Sequence, residues 1–167
     1  QMAMGMTEDD RGRIWAVSYP NSGVLCFDPA DRSFRDYGAV HSENWAQYQR
    51  SVAADDRGHL YFAIGNTASQ IVAFAPDTGA ATPILPAAER ATGTALVYRD
   101  EDGAVYGQAL EGAAGGWRRL YRGQATRLDG APPTALHPAA AGRRHAGRRI
   151  AGARFALERI AGVAFHR

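Results

Sequence analysis

Short apolar runs alternate with charged or glycine-containing turns along most of the chain. The runs are rich in aromatic and β-branched side chains, as in "RIWAVSY" (13–19), "GVLCF" (23–27) and "HLYFAIG" (59–65). Runs of this length and composition, bounded by turn residues, are typical of β-strands. The pattern therefore predicts an all-β fold built from short strands.

One turn sequence recurs at a nearly fixed interval. Its glycine is Gly12 in "EDDRGRIW", Gly58 in "ADDRGHLY" and Gly103 in "DEDGAVY", so the spacings are 46 and 45 residues. Asp favours a tight turn by bonding its own backbone, and Gly favours one by adopting positive φ. A small apolar run precedes each turn, and an apolar residue and an aromatic one follow it.

Each repeat contains about four predicted strands. "DPADRS" and "APDTGA" predict hairpin turns that lead to "FRDYGAV" and "ATPILP" as further strands. The repeats lie near 3–48, 49–92 and 93–136. Four strands in about 45 residues is typical of a β-propeller blade.

The turns "DxxGxIW/Y" and hairpins "FDPxTG" resemble those of bacterial β-propellers, the streptogramin lyase-like and two-component-regulator propellers among them, over residues 3–135. The resemblance implies about three four-stranded blades. Propellers close with about four to eight blades, so three blades form an incomplete ring. We expect either that further blades lie outside this sequence or that two copies associate into a six-bladed ring.

The last segment, residues 137–167, has a different composition. It is rich in Ala, Arg and Gly and contains one acidic residue, Glu158. Three interpretations remain open: a degenerate fourth blade, a nucleic-acid-binding tail in which arginines neutralise phosphates, or translation of GC-rich DNA in the wrong frame. The segment contains no recognised nucleic-acid-binding motif, so we expect no nucleic-acid partner.

Other features of the sequence restrict the possible partners, location and cysteine chemistry of the protein. No run of about 18 apolar residues predicts a membrane helix, and no signal peptide is visible, so we expect no membrane partner. Propellers of this type are often exported, which favours an exported or periplasmic location. All 19 basic residues are arginine. The single cysteine, Cys26, lies in a strand-like apolar run and is predicted to be a buried structural thiol.

The segment "GAVHSENWAQYQRS" (38–51) has the richest set of candidate functional side chains. It joins the first repeat to the innermost strand of the second, and propeller ligands usually contact such loops at one mouth of the central channel. Arg50 would neutralise a ligand carboxylate. Tyr48 or His41 would act as a base, and Trp45 would provide an aromatic platform for a sugar.

A second candidate loop, "SYPNSG", contains Tyr19 and Asn21 as possible ligand-binding residues. For both loops, packing between blades and turn chemistry are the competing interpretations. No Cys and His set has the spacing of a zinc site, and the acidic turns lack the ligand spacing of calcium loops. We therefore expect no metal and no cofactor.

Three functions fit these observations. The first is a ligand- or partner-binding module for carbohydrate or another small polar molecule at the channel mouth. The second is a propeller lyase that acts on an acidic polysaccharide or a cyclic ester. The third is a sensor or scaffold domain of a larger protein. The propeller fold does not discriminate among them, since propellers have many unrelated activities.

Overall fold

The repeats form three separate antiparallel sheets, with the strands of each sheet in sequence order. A computed structural model of the chain describes residues 2–111 and 116–133. We call the sheets blades 1, 2 and 3. The strands of blade 1 are β1 (Met2–Glu8), β2 (Ile14–Tyr19), β3 (Gly23–Asp28) and β4 (Ser33–Ala39). Those of blade 2 are β5 (Tyr48–Ala54), β6 (Leu60–Asn66), β7 (Gln70–Ala75) and β8 (Ala80–Pro83).

Blade 3 follows a more irregular connection. A turn of 3₁₀ helix at Ala87–Glu89 leads to the two-residue strand β9 (Gly93–Thr94), which pairs with β6 of blade 2. The strands of blade 3 are β10 (Leu96–Arg99), β11 (Val105–Gln108), β12 (Arg118–Tyr121) and β13 (Gln124–Arg127). In the described part of the chain, no helix is long and apolar enough to cross a membrane. Residues 137–167, for which the sequence allows three interpretations, lie outside the described residues.

The first strand of each blade is the innermost one. β5 lies against β1 of blade 1 and against β10 of blade 3. The inner strands approach closely because Gly5 has no side chain: a Cβ at this position would lie 2.4 Å from Cγ2 of Val52. The apolar run that precedes each acidic turn therefore forms the inner edge of its blade, as predicted.

The three acidic turns have the same backbone hydrogen bonds. In the first, the N–H of Gly12 donates to the carbonyl of Asp9, and the N–H of Asp9 donates to the carbonyl of Arg13, each over 3.0 Å. Asp55 and Asp100 occupy the same position in the other two turns. Gly12, Gly58 and Gly103 have φ of 80°, 87° and 81°, values that an L side chain rarely adopts. The turn backbone thus requires the glycine, and the carboxylates of Asp9 and Asp55 each accept from the N–H groups two and four residues later.

Alternate residues of the blade 2 strands enter different interfaces between blades. In β6, Leu60 and Phe62 pack in the apolar cluster shared with blade 1, whereas Tyr61 and Ala63 pack in the cluster shared with blade 3. Both faces of blade 2 are therefore buried, and each buried large apolar side chain stabilises the fold by about 1.5–3 kcal/mol. Cys26 lies in the cluster between blades 1 and 2 and is 7% exposed. The prediction that its thiol is buried is therefore confirmed.

Candidate functional site

The predicted site residues lie at one end of the blades, which we call the loop face. Since strands alternate in direction, the acidic turns and the hairpins after β3, β7 and β12 lie at the opposite end, the turn face. The loop face contains the β2–β3 turn (20–22) and the β4–β5 connection (40–47). The β4–β5 connection is shorter than predicted: Tyr48 and Arg50 belong to β5 and are held by its pairing with β6.

Tyr19 and Tyr48 lie side by side at the loop face. Their ring centroids are 5.0 Å apart, across the boundary between blades 1 and 2. The backbone N–H of Gln47 donates to the carbonyl of Pro20 over 2.9 Å and holds the two segments together. The hydrogen bond with Tyr48, the charge interaction with it, and burial raise the pKa of Tyr19 above its ordinary value of 10.0. Tyr19 is therefore a neutral phenol at neutral pH.

A buried polar group fixes the start of β5 beside these tyrosines. Ser22 Oγ donates to Gln47 Oε1 over 2.6 Å and accepts from Gln49 Nε2 over 3.0 Å. All three residues are buried, and Gln49 Oε1 has no hydrogen-bond partner. Sequence reasoning missed this group because Ser22 lies more than 20 residues before the two glutamines, and glutamine and serine have no distinctive spacing.

Arg50 lies at a β-bulge in β5. The register with β6 shifts between Gln49 and Ser51, so Arg50 is the extra residue. It is exposed, and none of the ion pairs found within residues 2–111 and 116–133 involves it. Blade 1 has the equivalent shift between Ala3 and Gly5, at Met4. Blades 1 and 2 thus share the bulge, but only blade 2 has an arginine at this position.

His41 lies in a network that connects the β4–β5 connection to the segment after blade 2. Its Nε2 is 3.1 Å from Glu43 Oε1, which also accepts from Arg90 Nη2 over 2.7 Å. Arg90 Nε donates to the carbonyl of Ser69 over 2.9 Å. The cation and the carboxylate are both mostly buried, so this network is a structural link between neighbouring loops.

Trp45 and Asn21 are half-buried. Trp45 packs against the cluster between blades 1 and 2, together with Tyr37 and Val40, and Asn21 lies in the β2–β3 turn. Of the predicted site residues, the structure brings Tyr19 and Tyr48 into direct contact and places Arg50 two residues further along β5. His41 instead contacts Glu43.

Two shallow clefts lie on the turn face, between the acidic turns of blades 1 and 2. Their volumes are about 30 Å³ and 150 Å³. Several of the charges that line them are already paired: Arg13 Nε donates to Asp9 over 2.8 Å, and both Arg99 Nη groups donate to Asp10. No group of three or more His, Cys, Asp or Glu side chains that could hold a metal ion occurs within the described residues. Arg50, the exposed arginine of the candidate site, lies at the other end of the blades, on the loop face.

Three solved structures have the same fold over most of this chain. A selenomethionine-substituted virginiamycin B lyase from Staphylococcus aureus matches 76% of the chain with 15% identity and a TM-score of 0.51. A streptogramin B lyase matches 80% with 22% identity and a TM-score of 0.52. A catalytically inactive virginiamycin B lyase from Staphylococcus aureus with quinupristin matches 79% with 19% identity and a TM-score of 0.51.

The chain spans only part of these proteins, 41% of the first and 42% of each of the other two. No family model matches the sequence, and no curated protein matches it. The likeness therefore concerns the fold, and it confirms the all-β, propeller-type architecture predicted from the repeats. The chain has the blade fold of the β-propellers, the fold in which streptogramin B lyases are built.

Proposed function

We propose that this chain supplies the binding surface of a β-propeller that holds a small carboxylated carbohydrate at the loop face. The observation that carries the proposal is Arg50, an exposed arginine at the bulge of the inner strand β5. A guanidinium presents a planar fork of donors that matches a carboxylate in two parallel hydrogen bonds. Because Arg50 has no carboxylate partner among the described residues, this fork is available to a ligand.

The surroundings of Arg50 support a sugar as the rest of the ligand. Tyr48 precedes it by two residues and lies against Tyr19, so two phenol rings border the same edge of the loop face. Aromatic rings provide apolar faces for sugar rings, and their hydroxyl groups provide hydrogen bonds. The buried Ser22, Gln47 and Gln49 group limits movement of this edge, so little order would be lost on binding.

The test is a calorimetric titration of the full chain with D-galacturonate and, separately, with the neutral sugar D-galactose. We expect galacturonate to bind more tightly, and Arg50→Gln to weaken its affinity by about tenfold or more, the effect of losing a charged hydrogen bond. Arg32→Gln is the matched control, since Arg32 is an exposed arginine in the hairpin on the turn face. Equal affinity for both sugars, or an unchanged affinity in Arg50→Gln, contradicts the proposal.

A lyase reaction at the same site is the second candidate, because the ligand carboxylate that Arg50 would bind also acidifies the adjacent C–H bond. Such a reaction needs a base that removes this proton and a glycosidic oxygen that leaves from the neighbouring carbon of the sugar. Tyr48, on the same strand as Arg50, would act as the base. Incubation with polygalacturonate distinguishes the two functions: a lyase produces an unsaturated product with new ultraviolet absorbance, which Tyr48→Phe abolishes, whereas a binding protein produces none.

A further inference from the structure

Three arginine side chains lie beside one tyrosine on the turn face, at the boundary between blades 2 and 3. Arg57 of blade 2 donates from Nε to the hydroxyl of Tyr121 over 3.1 Å. Cζ of Arg119 lies 4.6 Å from the centroid of the same ring, and Cζ of Arg122 lies 5.5 Å from it. Because like charges repel, three guanidinium groups so close together favour an anion beside them.

The backbone holds Arg122 in an unusual conformation. Arg122 and Gly123 form the two-residue turn between β12 and β13, with φ of 52° and 76°. Turns of this kind favour Asn or Asp before the glycine, because most other side chains rarely adopt positive φ. The turn is held against blade 2, since the two N–H groups donate to Asp55 and to the hydroxyl of Tyr61. The turn itself therefore does not account for an arginine at this position.

The nearby carboxylates compensate these charges only in part. Arg57 Nε is 3.4 Å from Asp56 Oδ1, and Arg119 Nε is 3.4 Å from Asp102 Oδ2. Both distances are longer than those of a strong charged hydrogen bond. Among the residues that the structure describes, none of the ion pairs involves Arg122. The guanidinium donors of this group are therefore mostly available to a ligand.

The carboxylate of Asp55 does not neutralise them either. It is buried, and both of its oxygens already accept hydrogen bonds. One oxygen accepts from the backbone N–H groups of Arg57 and His59, and the other accepts from Tyr61 and from the backbone of Arg122. Asp55 thus fixes the backbone of the site and leaves the guanidinium groups to the solvent side.

We propose that Arg57, Arg119 and Arg122 bind a phosphate monoester beside Tyr121. Such a group has about two negative charges at neutral pH and three terminal oxygens that accept hydrogen bonds. Guanidinium groups donate paired hydrogen bonds to phosphate oxygens. The hydroxyl of Tyr121, which accepts from Arg57, retains its own proton to donate. This site lies at the opposite end of the blades from Arg50 and is separate from the carbohydrate site.

A ligand at this site would join two blades. Arg57 belongs to the acidic turn of blade 2, whereas Arg119 and Arg122 belong to blade 3. A phosphate that accepts from both sides stabilises the contact between them, because a ligand that binds only the folded state favours that state.

The test is a titration of the full chain with methyl phosphate at neutral pH and fixed ionic strength. It is followed by the NMR signals of the Gly123 N–H and of the arginine Nε–H groups. We expect saturable shifts at Gly123 and at the three arginines. Methyl sulfate, which has a single negative charge, should bind more weakly. Absence of these shifts, or equally tight binding of methyl sulfate, overturns the proposal.

Arg122→Asn separates binding from folding. Asparagine adopts positive φ more readily than arginine, so the variant should be at least as stable as the original chain. Its affinity for methyl phosphate should fall by about tenfold or more, the effect of losing a charged hydrogen bond. An unchanged affinity in this variant contradicts the proposal.

Arg32→Asn is the matched control for this substitution. Arg32 is an exposed arginine with φ of 63° in the hairpin after β3. Its replacement should relieve the same kind of strain and leave the affinity for methyl phosphate unchanged. Arg50→Gln should also leave this affinity unchanged, so failure of the carbohydrate site is distinguishable from failure of this one. A loss of affinity in Arg32→Asn equal to that in Arg122→Asn would show a general effect of charge and overturn the assignment.

Discussion

The backbone N–H of Arg122 donates a hydrogen bond of 2.7 Å to the carboxylate of Asp55, which joins the β12–β13 turn of blade 3 to the acidic turn of blade 2. The same oxygen, Oδ2, accepts from the hydroxyl of Tyr61 over 3.1 Å. The other oxygen accepts from the backbone N–H groups of Arg57 and His59. One buried carboxylate thus organises its own turn and the contact with the next blade.

Replacement of Asp55 by asparagine should destabilise the protein strongly. The amide retains one acceptor for the turn, but its NH₂ group then faces the N–H of Arg122. Loss of a charged acceptor and the burial of an unpaired donor cost about 1–3 kcal/mol each, so we expect a loss of about 2–4 kcal/mol in urea unfolding. Asp31→Asn is the control, because Asp31 is exposed and asparagine can still accept from the N–H of Ser33. Equal effects of the two substitutions would contradict this role.

The repeats predict much of this architecture and little of its long-range bonding. Gly12, Gly58 and Gly103 mark the turns, because a positive φ is a local requirement that sequence expresses directly. The contact of Asp55 with Arg122 joins residues 67 positions apart. Its donor is a backbone N–H, a group that nearly every residue type has, so the residue type does not reveal the contact. Only the resulting fold shows that the turn at Asp55 also connects blades 2 and 3.

Sequence alone identifies only part of the candidate site, because the site also depends on contacts between residues that are distant in the sequence. Tyr48 and Arg50 were recognised by residue type, but their position on β5 depends on a bulge that only the pairing with β6 shows. Ser22 and Gln49, which support them, resemble any polar surface residues until the fold buries them. The sequence predicts His41 as a possible base, and the structure adds that its Nε2 lies 3.1 Å from Glu43 Oε1.

Gly65→Ala should destabilise the chain through a backbone clash. A Cβ at Gly65 would lie 2.3 Å from the carbonyl oxygen of Gly93 and from Cα of Thr94. Because the obstacle is the backbone of β9, no side-chain rotation relieves the contact, and we expect a loss of about 2–3 kcal/mol. Gly130→Ala, where the added methyl group meets open space, should leave the unfolding free energy within about 0.5 kcal/mol of the wild type.

The pair of Arg118 and Glu89 should make stability depend on acidic pH. The hydrogen bond from Arg118 holds the pKa of Glu89 below its ordinary value of 4.5. A lowered pKa in the folded state contributes stability above the unfolded value, and this contribution is lost as pH falls through the folded value. We expect Glu89→Gln to lower the melting temperature at neutral pH and this difference to shrink below about pH 4.5.

The control for that experiment is Glu111→Gln, since Glu111 is exposed. It should leave the melting temperature unchanged at both pH values. A difference between wild type and Glu89→Gln that is constant from neutral to acidic pH would exclude the ionised pair as its cause.

Arg99 and Asp10 form an ion pair between blades 3 and 1. Arg99 Nη1 and Nη2 donate to the two oxygens of Asp10 over 2.9 and 2.6 Å. Two parallel bonds restrict both side chains, so a double-mutant cycle of Arg99→Gln and Asp10→Asn should give a coupling energy of about 1 kcal/mol at low salt. For comparison, Arg57 Nε and Asp56 Oδ1 are 3.4 Å apart, and the side chain of Arg57 is 55% exposed, against 16% for Arg99. A coupling energy for Arg57 and Asp56 as large as that for Arg99 and Asp10 would show that geometry is not the determining factor.

Cys26 should be chemically inert until the blades separate. It is buried against blade 2, and burial, opposed by the nearby Arg13 charge, raises the pKa of its thiol above the ordinary value of 9.0. Since the thiolate is the reactive form, we expect no reaction with Ellman's reagent in the native state and complete reaction in urea.

Two substitutions separate the packing of Cys26 from the polarity of its site. Cys26→Ala loses only packing, about 1 kcal/mol. Cys26→Ser also buries a hydroxyl group and should cost about 1–3 kcal/mol more. Rapid labelling of the folded protein, or equal stability of the alanine and serine variants, would mean that the interface between blades 1 and 2 opens readily around this residue.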